Sequence, residues 1–79
     1  MYYVYILISE KDQKFYIGST SDLKRRMSEH NYGKVTSTKN RLPLKLICYE
    51  AYPSKIIAQR REKYLKSSDG KKDIRRRFA

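Results

Sequence analysis

One cysteine, one histidine, no tryptophan, three glycines and two prolines are all that the 79 residues hold of these types. A single Cys48 and a single His30 exclude a disulfide framework and a Cys/His zinc site within one chain. Cys48 lies in the apolar stretch Leu46-Ile47-Cys48-Tyr49, where a buried thiol is ordinarily inert filler, so a Cys48 nucleophile with His30 as its base is not expected. Few Pro and Gly, with no repeat and no low-complexity tract, argue against a fibrous or disordered chain. No apolar run approaches the ~18 residues of a membrane span. The longest, Tyr2 to Ile8, has neither a basic region before it nor a small-residue cleavage site after it, so a soluble, cytoplasmic protein without membrane contact is expected. Acid is scarce as well: 8 Asp and Glu face 19 Lys and Arg.

What remains is a basic, moderately apolar chain, with 39% hydrophobic and 34% charged residues and a net charge of +11. That length suits one domain spanning 1–79, expected as a monomer, that buries only about 60% of the surface its unfolded form exposes. The charge makes a polyanion the first partner to consider. It is uneven, because residues 55–79 carry +7 and residues 1–54 only +4. Displacement of counterions from nucleic acid makes such binding strongly salt-dependent, whatever else the protein does.

Tyr2 to Ile8 is β-branched, aromatic or aliphatic throughout, which predicts a strand covered on both faces, with Lys14 to Gly18 as its hairpin partner. Leu44 to Glu50, set between Pro43 and Pro53, predicts a third strand. The expected sheet is antiparallel with residues 2–8 in the middle. Ser21 as N-cap and Gly33 as a C-terminal stop bracket a helix over 22–31, with Asp22 in its first turn. Lys34 to Arg41 reads as a basic polar loop, either solvated or touching a phosphate backbone. A second helix starts near Ser54 and runs to about Lys66, with Ile57, Ala58, Tyr64 and Leu65 as its apolar side. Ser67 to Gly70 then leads into a short basic tail, 71–79, which Ile74 and Phe78 dock if it is helical. The fold class is α/β, a small three-stranded antiparallel sheet flanked by two to three helices.

Two features carry chemistry. On the first helix, Leu23, Arg26, Met27 and His30 fall at i, i+3, i+4 and i+7, so an arginine and the lone histidine share the face that should be packed. Burying them is costly unless they are paired or bind something, or unless Arg26 snorkels at the edge. Strand parity is the second. A four-residue turn, Glu10 to Gln13, sets Tyr5 opposite Gly18 and Leu7 opposite Tyr16, and a side-chain-free Gly18 leaves room beside Tyr5 for a phosphate. Tyr2, Tyr3, Tyr49 and Tyr64 read as packing residues. Glu62 is the only acid on the second helix, and periodicity alone does not aim it at the sheet.

The ordered set Tyr5, Tyr16, Gly18, Arg26, His30 and Glu62 resembles the GIY-YIG nuclease domain, most closely its small single-domain bacterial members. Tyr3-Val4-Tyr5 stands where the first triplet belongs, and Tyr16-Ile17-Gly18 matches the second. Tyr3 replaces the glycine of the first triplet, and no asparagine follows Glu62, where several members carry one. The resemblance implies hydrolysis of DNA phosphodiester bonds with one divalent cation, Mg²⁺ or Mn²⁺, held by Glu62, since Mg²⁺ keeps most of its water and needs few carboxylates. Arg26 offers a permanently charged fork to the phosphate. Tyr5 is the expected general base, provided that cationic surroundings lower its pKa, with Tyr16 and His30 positioning water and phosphate. Gly18, Lys24, Arg25 and Lys34 complete the expected substrate contacts. With no attached specificity domain, structure-selective cleavage of branched, nicked or single-stranded DNA, as in repair or recombination, is expected over a defined site. Charge alone does not separate DNA from RNA. A basic nucleic-acid-binding module without turnover fits the same residues, and an adaptor for an acidic protein fits the charge alone.

Overall fold

The computed structural model describes residues 1–78 as a three-stranded antiparallel sheet and three helices. The strands are β1 (Tyr2–Ser9), β2 (Phe15–Thr20) and β3 (Leu44–Tyr52), and the helices α1 (Leu23–Asn31), α2 (Lys55–Lys66) and α3 (Ser68–Phe78). Sheet order is β2-β1-β3, so the most apolar strand is central, as its composition requires. Tyr5 pairs with Gly18 and Leu7 with Tyr16, the register that a four-residue turn dictates.

That register divides the sheet into two faces. Val4, Ile6 and Ile17 point to one side, where Ala58 and Leu65 of α2 and Ile74 of α3 close over them as the main apolar core. Tyr5, Leu7 and Tyr16 alternate to the other side, beneath α1. On β3 the pairing slips by one residue between Ile6 and Leu7, which leaves Ile47 as an extra residue beside Cys48 on the core side. Cys48 therefore packs on the face away from His30, and the two form no catalytic pair.

Several boundaries differ from the sequence reading, each for a local reason. The cap of α1 is Asp22, not Ser21: Asp22 is extended at φ −137° and its carboxylate accepts from the Arg25 N–H at 3.0 Å. Gly33 stops the helix as expected, with φ +70°. Its N–H reaches the His30 carbonyl at 3.1 Å and that of Lys34 reaches the Glu29 carbonyl at 2.9 Å, a Schellman closure. Ile57 and Tyr64 stay largely exposed, because the inward face of α2 centres on Ala58 and Leu65. The stretch from Ser68 to Gly70 is no lead-in but the first turn of α3. Gly70 lies so close to Tyr64 and Leu65 that a Cβ there would strike the α2 backbone. The segment after Gly33 is more than a solvated loop, since Val35 and Thr38 are buried in it. Its Arg41 pairs with Asp12 at 2.9 Å, holding that exposed carboxylate down to about 2. Among the described residues no helix is long and apolar enough to cross a membrane.

Candidate active site

Tyr5 is the centre of the α1 face. Its residue is 1% exposed, and its hydroxyl lies 2.9 Å from His30 Nε2 and 3.4 Å from Arg26 Nε. His30 continues the chain, with Nδ1 2.8 Å from Thr38 Oγ1, whose hydroxyl reaches the Val35 carbonyl at 3.5 Å. One assignment of protons gives every hydroxyl hydrogen an acceptor: Arg26 N–H donates to Tyr5, Tyr5 O–H to His30 Nε2, His30 Nδ1–H to Thr38, and Thr38 O–H to Val35. The reverse tautomer leaves the Tyr5 hydrogen without one. The arginine and histidine on the packed face of α1 are thus both paired.

The space over Gly18 is filled by the Tyr5 phenol itself. A Cβ at position 18 would overlap the phenol oxygen and Cζ, so the glycine admits the tyrosine and leaves no gap there for a phosphate. Tyr16 joins the cluster by ring contact, edge-on to His30 at 5.2 Å and tilted toward Tyr5 at 6.4 Å, and its hydroxyl accepts from Ser37 Oγ at 3.3 Å.

Electrostatics set the resting protonation. Burial raises the Tyr5 pKa; the Arg26 hydrogen bond works against it, and Tyr16 and Glu62 add to the rise. In the protein alone burial therefore outweighs Arg26, and the phenol rests protonated. Burial also lowers the His30 pKa, helped by repulsion from Arg26, which keeps the imidazole neutral and able to accept a proton.

Glu62 approaches from the other face. Its Oε1 accepts from Ser19 Oγ at 2.5 Å, and Ser19 follows Gly18 on the edge strand β2. Position 18 thus serves the phenol on one side of the sheet, and position 19 the carboxylate on the other. Glu62 is turned inward, with a side chain 21% exposed, and its second oxygen accepts from the exposed Lys66 at 2.8 Å. It makes no hydrogen bond to Tyr5, Arg26 or Tyr16, but its charge is felt at Tyr5. Hard oxygen donors of this kind suit a hydrated Mg²⁺ or Mn²⁺ ion. No group of three His, Cys, Asp or Glu side chains gathers among the described residues, so a cation here would be held mainly by water.

The orientation of α2 depends on an ion pair that is not among the expected site residues. Arg61 grips Glu50 of β3 through both carboxylate oxygens, at 2.9 and 3.1 Å, and Tyr52 donates to the same carboxylate at 2.7 Å. Burial raises the Glu50 pKa, but the bonds from Arg61 and Tyr52 outweigh it and hold it below its usual value. An acid opposite Val4, on the core side of a strand, is the parity signal that marks Glu50. Thr38 and Ser37 carry no such signal, because only the Gly33 turn brings their loop back.

Arg25 and Arg26 line a polar cleft of about 320 Å³ with Ser19, Thr20, Ser21, Asp22 and Glu29. Lys24 is exposed and borders an adjoining groove. Lys34 is exposed beyond the α1 stop and makes no side-chain hydrogen bond with the cluster.

Comparisons with known proteins follow the same outline. The family model described as the GIY-YIG catalytic domain matches residues 1–77. A UPF0213 protein of Clostridium perfringens is 43% identical over 67 residues, which span 84% of this chain and 71% of that protein. One from Streptococcus agalactiae is 45% identical over 65 residues, 81% of this chain and 73% of the other. The solution NMR structure of a UPF0213 protein from Bacillus halodurans superposes with a TM-score of 0.57 at 40% identity, covering 94% of this chain and 82% of that one.

Proposed function

The chain belongs to the GIY-YIG catalytic domain family, and from that premise we propose that it is a metal-dependent endonuclease that hydrolyses DNA phosphodiester bonds. We read it as one domain over 1–79, selective for DNA structure rather than sequence. The observation that carries this reading is the Tyr5 hydroxyl set between a guanidinium donor and a neutral imidazole acceptor.

In this reading the proton of an attacking water passes to Tyr5 Oη as the phenol's own proton passes to His30 Nε2, while the water–phosphorus bond forms and the bond to the leaving oxygen breaks. The leaving oxygen takes its proton from solvent, and the imidazolium of His30 returns its proton to solvent, so one water is consumed and both groups are restored. Arg26 orients the phenol oxygen by donating to it and, with Arg25, lines the cleft that receives the phosphate. Thr38 keeps His30 in the tautomer with a free Nε2 lone pair. Tyr16 fixes the imidazole from its edge. Glu62, steadied by Ser19, would hold the divalent cation, Mg²⁺ or Mn²⁺. The cation supplies Lewis-acid stabilisation of charge on the phosphoryl oxygens.

The test is purified protein with Mg²⁺ or Mn²⁺ on nicked, branched, single-stranded and fully paired DNA. Wild type cuts at least one of these and Glu62→Ala cuts none. A second reading, a binding module on the same scaffold without turnover, is favoured by the lack of an asparagine after Glu62. It predicts retained DNA binding, with any residual cleavage equal in the two proteins.

A further inference from the structure

Tyr49 and Tyr3 are expected to be packing residues, yet Tyr49 is 55% exposed. Tyr49 stands directly opposite Tyr5 across the β1–β3 pairing, so it shares the α1 face of the sheet. The Tyr3 and Tyr49 rings meet edge-to-face, with centroids 6.1 Å apart and planes at 65°, so they are not stacked on one another and the exposed Tyr49 keeps ring surface open to solvent. With Leu23, Met27 and Leu46 they line a groove of about 630 Å³, with Lys24 also on its wall. Ser21 and Asp22 border both this groove and the polar cleft of Arg25 and Arg26. An aromatic, apolar slot and an arginine-lined slot thus adjoin along one ridge.

We propose that the Tyr3–Tyr49 groove takes one unpaired nucleobase of the strand whose phosphate lies in the Arg25–Arg26 cleft. The proposal rests on the nucleic-acid reading above and names its substrate class: DNA with an exposed single-stranded element. Charge selects this occupant. The chain carries +11, so a second copy brings like charge to the groove, whereas a nucleotide brings a planar π-face joined to an anion. A base within a continuous duplex is stacked on both sides and offers no face to the slot, so the groove discriminates by availability of the base and not by its identity.

The experiment measures fluorescence anisotropy in EDTA at fixed salt, with a labelled mixed-sequence single strand and, separately, its blunt duplex. The readout is the ratio of the two affinities. Tyr49→Ala and Tyr49→Leu each lower the single-strand preference about tenfold, and Tyr49→Trp keeps it. Tyr49→Leu retains apolar packing on Tyr3, so it separates loss of stacking from loss of fold, and far-UV circular dichroism checks all three variants. An unchanged ratio in both Ala and Leu variants overturns the proposal. So does a change in sedimentation mass of the free protein with Tyr49→Ala, since the groove would then serve a second copy. Cleavage is scored separately on wild type. If the ratio falls and wild type cuts nothing, the groove stands without the nuclease; if wild type cuts and the ratio holds, the nuclease stands without the groove.

Discussion

Gly18 and Tyr5 face one another across β1 and β2, and the phenol occupies the volume that any side chain at position 18 would need. The ring cannot swing clear, because its hydroxyl is held by His30 and Arg26. Gly18→Ala is therefore expected to cost about 1–3 kcal/mol in stability through overpacking. Displacing the hydroxyl is expected to lower cleavage about a hundredfold. Chemical denaturation and single-turnover cleavage read the two effects independently.

Thr38→Val keeps the shape of the side chain and removes its hydroxyl, so the buried Nδ1–H of His30 loses its acceptor. A loss of about 1–3 kcal/mol in stability follows. The freed tautomer also alters the pH dependence of cleavage, which Thr38→Ser restores. A merely structural threonine would change stability and leave the pH profile where it was.

His30 makes folding stability depend on pH. Its folded pKa lies below the ordinary 6.5, so between the two values the unfolded chain binds the proton that the folded chain refuses. Stability contributed by the neutral imidazole is present above pH 6.5 and is lost as pH falls toward the folded value. Glu50 and Asp12 are held low and lose their pairs only at more acidic pH. Urea midpoints measured across the weakly acidic range should fall in wild type and stay nearly flat in His30→Gln.

Glu50→Gln weakens the fork from Arg61, and because the pair is charge-assisted and about three-quarters buried, a cost of about 1–2 kcal/mol is expected. Arg61→Met in the same background should add less than it costs alone, which a double-mutant cycle measures. Loosened aim of α2 should also raise the Mg²⁺ concentration needed for half-maximal cleavage, a readout that simple destabilisation leaves in place.

Much of this was legible in the sequence wherever one element spoke for itself. The strand pattern of Tyr2 to Ile8 gave its central place, turn length gave the Tyr5–Gly18 register, and helical spacing put Arg26 and His30 on one face. What escaped depended on two elements meeting. Helical periodicity left Glu62 undecided, because its direction follows from how Arg61 and Glu50 rotate α2 against β3. The partner of His30 was hidden because Thr38 reaches it only through the Gly33 turn. The raised Tyr5 pKa was out of reach of the sequence because burial is a tertiary effect, and in the protein alone it outweighs the hydrogen bond and charge of Arg26. Tyr49 looked like a packing residue because its strand is apolar, but the bulge at Ile47 gives the core side to Ile47 and Cys48 instead.

The two faces of the sheet have separate occupations. Val4, Ile6, Ile17, Ala58, Leu65 and Ile74 supply cohesion on one side, while Tyr5, Tyr16, Arg26 and His30 assemble on the reverse. Substitutions beneath α1 thus leave the larger apolar core untouched. Yet because Tyr5, Leu7, His30 and Thr38 are themselves buried, every retuning of reactivity there also loosens a second, smaller anchor of the domain, and β2, whose edge both sides share, ties the two together.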